Sequence, residues 1–211
     1  MEDSALHGHG RHGHQASLDD LLEFVNTLEL TRDGPRDELA DLPTALRWLQ
    51  AHELLHRPTL DALLARHARA PESSAASLRH IHRLRSAMRE LLDATVEQRL
   101  PAAGALRDVN RALRTHYVQE LVPAPNGVSL DHRHDGDPIA GALARLADAA
   151  AREVTAPDLD RLRICANDDC RWVFKDESPG GRRKWCDMRT CGNRAKVARH
   201  RERAKEQAAA T

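Results

Sequence analysis

Four cysteines, Cys165, Cys170, Cys186 and Cys191, lie within a stretch of 27 residues. They form two C-x4-C pairs separated by fifteen residues. Tetrahedral Zn²⁺ takes soft thiolate ligands at about 2.3 Å, and two close pairs gather four of them with little loop-closure cost. With every coordination position filled by protein, no place remains for a reactive water. The spacing therefore predicts one structural zinc ion and not a catalytic one. Four thiolates leave such a centre negatively charged, and neighbouring Arg and Lys offset that charge.

A second pattern carries chemistry on paper. His52-Glu53-Leu54-Leu55-His56 matches H-E-x-x-H, which on a continuous helix puts two imidazoles on one face for zinc and supplies Glu53 as base. Pro58 follows almost at once, Arg57 sets a charge directly behind the second His, and thirteen histidines make a chance match easy. The metalloprotease reading is accordingly the weakest of three. The chain contains no G-x-S-x-G, no P-loop and no dinucleotide fingerprint. No enzyme is expected.

The net charge of zero conceals an asymmetry. Residues 1–160 hold 18 Arg and Lys against 25 Asp and Glu, whereas residues 161–211 hold 14 against 7. An acidic body with a basic end points to a polyanion reached through that end. Arg182, Arg183, Lys184 and Arg189 flank the second cysteine pair. On the segment that follows, Arg194, Arg201 and Lys205 make one stripe and Lys196, Arg199 and Arg203 another. Only Val197 and Ala204 offer apolar contact between them, so such a helix gains little from core packing and is expected to serve a partner. Phosphate contacts from these side chains would be salt-dependent and largely blind to sequence. Asn193 is expected to cap the helix or bond nearby backbone, and Gly192 to allow close packing beside Cys191.

The elements that must position these groups are mostly helical. Residues 1–16, with HGHGRHGH at His7–His14, read as a disordered His-rich tail. Ser17 caps a helix carrying Leu18, Leu21, Leu22, Val25 and Leu28. Further helices are expected over about 42–55, around Leu60–Leu64, over 72–100, over 102–115 and over 138–154. A hairpin is expected over 116–122 and 128–132, turning on Asn126-Gly127. In the cysteine segment, Arg171–Lys175 reads as a strand and Ser178-Pro-Gly-Gly181 as a turn. Arg183–Trp185 is the expected return strand, and a helix is expected over 193–207. A knuckle, a hairpin and a helix bearing the last ligands make a treble clef. The fold class is α+β and predominantly helical: a helical body over 17–156 with a small β-hairpin, then a zinc finger over 160–207. Three of the six aromatic residues, Trp172, Phe174 and Trp185, fall in the finger, which suggests a small core of its own.

RLRICANDDC at 161–170 and RRKWCDMRTCGNRAK at 182–196 closely resemble the CGNR zinc-finger family, whose name here is Cys191-Gly192-Asn193-Arg194. Upstream, LLEFVNTLEL at 21–30 and LPTALRWLQAHEL at 42–54 resemble the ABATE domain that precedes this finger, with Glu23 where such proteins often place Asp. The resemblance implies a stress-related transcription regulator whose finger contacts double-stranded DNA while the N-terminal domain senses or assembles. A homodimer and a small-molecule effector stay open as partners. No signal segment or membrane span is read from the chain, so a cytoplasmic location is expected. The alternative is a zinc-stabilised redox or ligand-sensing or protein-interaction module that never touches nucleic acid.

Overall fold

The computed structural model describes residues 15–31, 34–115, 118–124, 127–133 and 136–209. The first fourteen positions of the expected tail lie outside these, but its end does not belong to a tail. Ala16 is buried in the core, and its carbonyl accepts from Arg152 Nη2 at 3.0 Å. The folded body thus begins before the cap.

Helix α1 (Leu18–Asn26) starts at a capping box, in which Asp20 N donates to Ser17 Oγ at 3.1 Å and Ser17 N to Asp20 Oδ2 at 2.8 Å. It stops at Asn26, short of the expected Leu28. Thr27 turns its hydroxyl back to the Phe24 carbonyl at 2.7 Å, and Leu28 opens a hairpin that periodicity did not reveal, β1 (Leu28–Thr31) with β2 (Gly34–Asp37). Arg85, only 3% exposed, ties that hairpin to the body by gripping Asp37 at 2.6 and 2.7 Å and Thr27 Oγ1 at 2.9 Å. Burial pushes the Asp37 carboxyl up, but the guanidinium and the Leu39 N–H outweigh it and hold the carboxyl below its usual range.

Helices α2 (Leu42–Ala51), α3 (Arg57–Ala68), α4 (Pro71–Val96) and α5 (Ala103–Leu113) follow. The hairpin β3 (Val118–Ala124) and β4 (Gly127–Arg133) comes next, then α6 (Pro138–Val154). Of the expected hairpin, residues 116 and 117 and Asn126 of the turn lie outside the described residues. The long α4 turns Ile81, Leu84, Met88, Leu91 and Leu92 inward. The Ala-rich α6 is buried nearly all round, through Ile139, Ala142, Leu143, Leu146, Ala147 and Ala150. Small side chains let neighbouring helices approach it closely. Leu21, Phe24, Leu46 and Leu49 complete the same core. Among the described residues no helix is long and apolar enough to cross a membrane.

The C-terminal segment contains β5 (Leu162–Ile164), β6 (Val173–Lys175) and α7 (Asn193–Ala209). Here the expected strand pairing is corrected. β6 pairs antiparallel with β5, Leu162 opposite Lys175, and residues 183–185 form no strand. The reason lies in burial: Leu162 and Val173 enter the core of the helical body, which Arg183–Lys184–Trp185 cannot do with two charged side chains. The predominantly helical α+β class stands.

Candidate metal centre and nucleic-acid interface

The first cysteine pair is set by a tight knuckle. Cys165 leaves β5 with its N–H donating to the Trp172 carbonyl at 2.8 Å. Cys170 N and Arg171 N both donate to the Asn167 carbonyl, at 2.8 and 3.0 Å, and Arg171 closes the loop at φ +57°. The second pair is set by Asp187. Its Oδ1 accepts from Arg189 N at 2.6 Å and Thr190 N at 2.9 Å, starting a wide π-type turn over Met188–Gly192 that leads into α7. Those two N–H groups hold the Asp187 carboxyl below its usual range. Ala166 N donates to the Lys184 carbonyl at 2.8 Å and joins the two halves.

All four sulfurs converge to within 4.8 Å of one another. Cys170 Sγ lies 3.7 Å from Cys186 Sγ, which lies 3.8 Å from Cys191 Sγ. A tetrahedron with metal–sulfur bonds of about 2.3 Å has edges of about 3.8 Å, whereas a disulfide needs about 2.05 Å. The cluster therefore has the dimensions of a four-thiolate zinc site, and the four cysteines can hold one zinc ion. Its acid–base chemistry agrees. Burial pushes the Cys170 thiol up to about 12, and burial together with the Cys170 and Cys165 sulfurs drives Cys186 far above its ordinary value. At Cys191 burial also pushes upward, but the Asn167 amide, donating at 3.5 Å, and the neighbouring thiols prevail and lower it. Such a group cannot ionise together without a cation among it. Cys165, Cys170 and Cys191 are buried and packed with Phe174, Trp172 and Trp185, a small core as expected.

The basic residues divide into two groups. Arg183 works inside the finger: its guanidinium sits 5.2 Å from the Phe174 ring centroid, its Nη2 donates to the Cys186 carbonyl, and its backbone N–H reaches buried Asp176 at 2.7 Å. Arg182, Lys184, Arg189, Arg194, Lys196, Arg199 and Arg203 are exposed. On α7, Arg194, Lys196, Arg199, Arg201 and Arg203 have no ion-pair partner among the described residues; the Lys205 side chain lies outside them. Asn193 donates from Nδ2 to the Arg189 carbonyl at 3.1 Å, so it secures the turn. A methyl group on Gly192 would meet Met188 Sδ at 2.8 Å, the movable tip of a half-exposed side chain.

His52-Glu53-Leu54-Leu55-His56 does not lie on one helix. α2 ends at Ala51, His52 is its C-cap, Glu53 turns at φ +55°, and His56 is the N-cap of α3. Thus the expected helix over 42–55 stops early. His52 instead stacks on Trp48, centroids 3.8 Å apart, with Asp20 at 3.1 Å and Glu23 at 3.4 Å. Among the described residues only the four cysteines form a metal-ligating cluster.

Several contacts that build the site were not expected from the sequence. Asn26, at the end of α1, brackets Val173: its Nδ2 donates to the Val173 carbonyl at 2.9 Å, and its Oδ1 accepts from Val173 N at 3.0 Å. Arg89 of α4 donates to the Arg171 carbonyl, and Lys175 lies between Asp158 at 3.1 Å and Glu153 at 3.6 Å. The β1–β2 hairpin faces α7 across a cleft of 910 Å³, into which Arg36, Arg189, Arg194 and Arg201 contribute. Most of these contacts join positions remote in sequence.

Two family models match. Residues 161–204 match the CGNR zinc finger, and residues 20–157 match ABATE, described as "Putative stress-induced transcription regulator". The second description is regulatory, and neither names an enzymatic activity. No curated protein matches the chain. With the ABATE model spanning well over half of its residues and the zinc-finger model following directly, the chain belongs to the ABATE family and carries a CGNR zinc finger.

Proposed function

We propose that this protein is a DNA-binding transcription regulator. In this reading residues 160–207 form a zinc finger ligated by Cys165, Cys170, Cys186 and Cys191, and residues 17–156 sense a signal or assemble the protein. The observation that carries it is α7. This helix exposes Arg194, Lys196, Arg199, Arg201 and Arg203 without ionic partners among the described residues, and its one large apolar side chain, Val197, is half exposed. A helix that buries so little draws no stability from its own packing. It is anchored instead through the turn that bears Cys191, so the metal centre would act as a rigid base for a row of cations. Phosphates of double-stranded DNA match that row in charge, and the guanidiniums suit them in geometry. The cleft beside α7 adds Arg36 from the body to the same surface.

The competing reading is a zinc-stabilised redox or ligand-sensing or protein-interaction module without nucleic acid; its redox form is less well supported, because three of the four cysteines are buried and only Cys186 is partly exposed.

The test is binding of the zinc-loaded full-length protein to random duplex DNA across a salt series. The expected result is tight binding at low salt with a steep negative slope of log affinity against log salt. The slope should flatten by about 2 in Arg199→Glu/Arg203→Glu, because each arginine removed frees about one phosphate. Absence of binding at low salt, with zinc retained, would overturn the proposal.

A further inference from the structure

Helix α7 carries its cations on two opposite faces. At about 100° per residue, Arg194, Val197, Ala198 and Arg201 share one face, and Lys196, Arg199 and Arg203 lie about 180° away from it. All four residues of the first face line the 910 Å³ cleft against the β1–β2 hairpin, and none of the second face does. On the basis of the nucleic-acid reading above, we propose that α7 enters the major groove of duplex DNA and that the cleft seats the sugar–phosphate backbone of one flanking strand. The hairpin of the body then grips DNA through Arg36.

The lining of the cleft selects that occupant. Arg36, Arg189, Arg194 and Arg201 stand against only two carboxylates, Glu29 and Asp169, so the cleft is net positive. Arg36, Arg194 and Arg201 have no ion-pair partner among the described residues, and Glu29, although opposite Arg36 in the ladder, makes no ion pair with it. The cations are spaced along the cleft: Arg194 and Arg201 stand two helical turns apart, about 10.5 Å. That length matches about three phosphates of one strand, at about 3.4 Å each along the duplex axis. Such a row suits a polyanion better than a small anion, which needs donors converging on one point. Among the described residues none that lines the cleft is aromatic, so it offers no platform for the unstacked bases of a single strand. The small side chains of Val197 and Ala198 between the two arginines leave room for the sugars.

The opposed stripes fit a groove. A helix is about 10–12 Å across and the major groove about 12 Å wide, so a helix lying in it has one strand on either flank. Lys196, Arg199 and Arg203 address one strand, and Arg194 and Arg201 address the other, which Arg36 meets from the far side of the cleft. The two walls are fixed relative to each other. Asp37, next to Arg36, is gripped by buried Arg85, while Asn26 and Arg89 tie the finger to the body. Hairpin and helix are thus presented to DNA at a set separation, and binding does not have to order them.

The test measures binding of the zinc-loaded full-length protein, across a salt series, to random-sequence duplex DNA and to a single strand of the same length. Arg36→Gln should flatten the duplex slope by about 1 and lower affinity roughly eightfold at about 0.1 M salt. Arg69→Gln, which removes an exposed arginine of the body outside the cleft, should leave the slope as it is. Ala198→Trp, which fills the cleft without changing its charge, should weaken duplex binding roughly tenfold or more. Zinc content and the denaturation midpoint check that each variant is folded. With the wild-type protein binding duplex, an unchanged slope in Arg36→Gln, an equal loss in Arg69→Gln or unchanged affinity in Ala198→Trp would each overturn the proposal and leave the nucleic-acid reading standing. Equal affinity for the single strand would overturn it as well. Absence of wild-type binding at low salt would overturn both.

Discussion

The helical body and the finger are held together by different physics. The body buries a continuous apolar core in which Leu21, Phe24, Leu46, Ile81, Met88, Leu92 and Leu143 are essentially inaccessible to water. The finger's own cluster consists of Cys165, Cys170, Cys191 and Phe174, with Trp172, Trp185 and Cys186 partly buried around them. So small a core cannot offset the entropy of ordering its loops, and a metal ion must supply the difference. Yet the division does not coincide with the boundary between the two regions. Leu162 and Val173 belong to the body's core although they lie in the finger's β5–β6 ladder. One end of the finger is thus packed like the body, its middle is built for metal, and its far end, α7, is bare.

The largest break in this comparison comes from Cys170→Ser. Loss of a thiolate should remove zinc and with it about 10 kcal/mol of binding energy that folds the finger. Residues 176–209 should become protease-sensitive while the helical circular dichroism of the body persists. Zinc content and limited proteolysis check both halves of that statement.

Leu143→Ala tests the opposite side. Its side chain is fully buried in α6, so the cavity left should destabilise the body by about 3 kcal/mol, seen as a lower denaturation midpoint. The zinc content should not change.

A subtler variant, Asn26→Ala, sits on the joint. It strips both partners from the Val173 backbone and leaves a buried N–H and C=O unsatisfied, at a cost of about 2 kcal/mol. Amide exchange at Val173 should accelerate and zinc loss should quicken, with the rest of α1 unaffected. A body and finger that are truly independent would show neither effect.

The smallest effect separates the regions by pH. In the metal-free chain the Cys170 thiol, pushed up to about 12, and the still higher Cys186 carry protons at neutral pH. Zinc must displace them, so its apparent affinity rises with pH, by about tenfold per unit for each proton released. As pH falls that affinity is lost in the same proportion. Competition with a chromophoric chelator at about pH 6.5 and about pH 7.5 measures the slope. The denaturation midpoint of the zinc-loaded body should be nearly flat over that window.

Much of the architecture was legible because its cause is local. The stripe from Leu78 to Leu92 sets α4, and Pro138 with its Ala- and Leu-rich run sets α6. Gly127 at φ +129° closes the β3–β4 hairpin where a glycine was expected. Errors arose where local pattern and tertiary contact compete. Leu28 kept the helical period of α1, but the chain turns there so that Asp37 can reach Arg85, 48 residues away. His52 and Glu53 continued the pattern of α2, but the helix ends so that His52 can stack on Trp48 and face Asp20. Arg183–Trp185 was the nearest candidate to pair with β6, but β5 brings Leu162, which the body's core can bury.

By itself the sequence determined which four cysteines gather into a cluster that can hold zinc and which end of the chain carries the excess of cations, because ligand type, spacing and charge are composition written in order. It also determined most helices, whose periodicity is a property of neighbouring residues. Only the tertiary structure decided that the finger is docked and not tethered, that Arg183 braces the second cysteine pair, and that a cleft opens between α7 and the β1–β2 hairpin. Those features depend on pairs such as Asn26 with Val173, 147 positions apart. Contacts at that separation leave no periodic trace, because each is a single hydrogen bond or ion pair between elements placed by burial elsewhere.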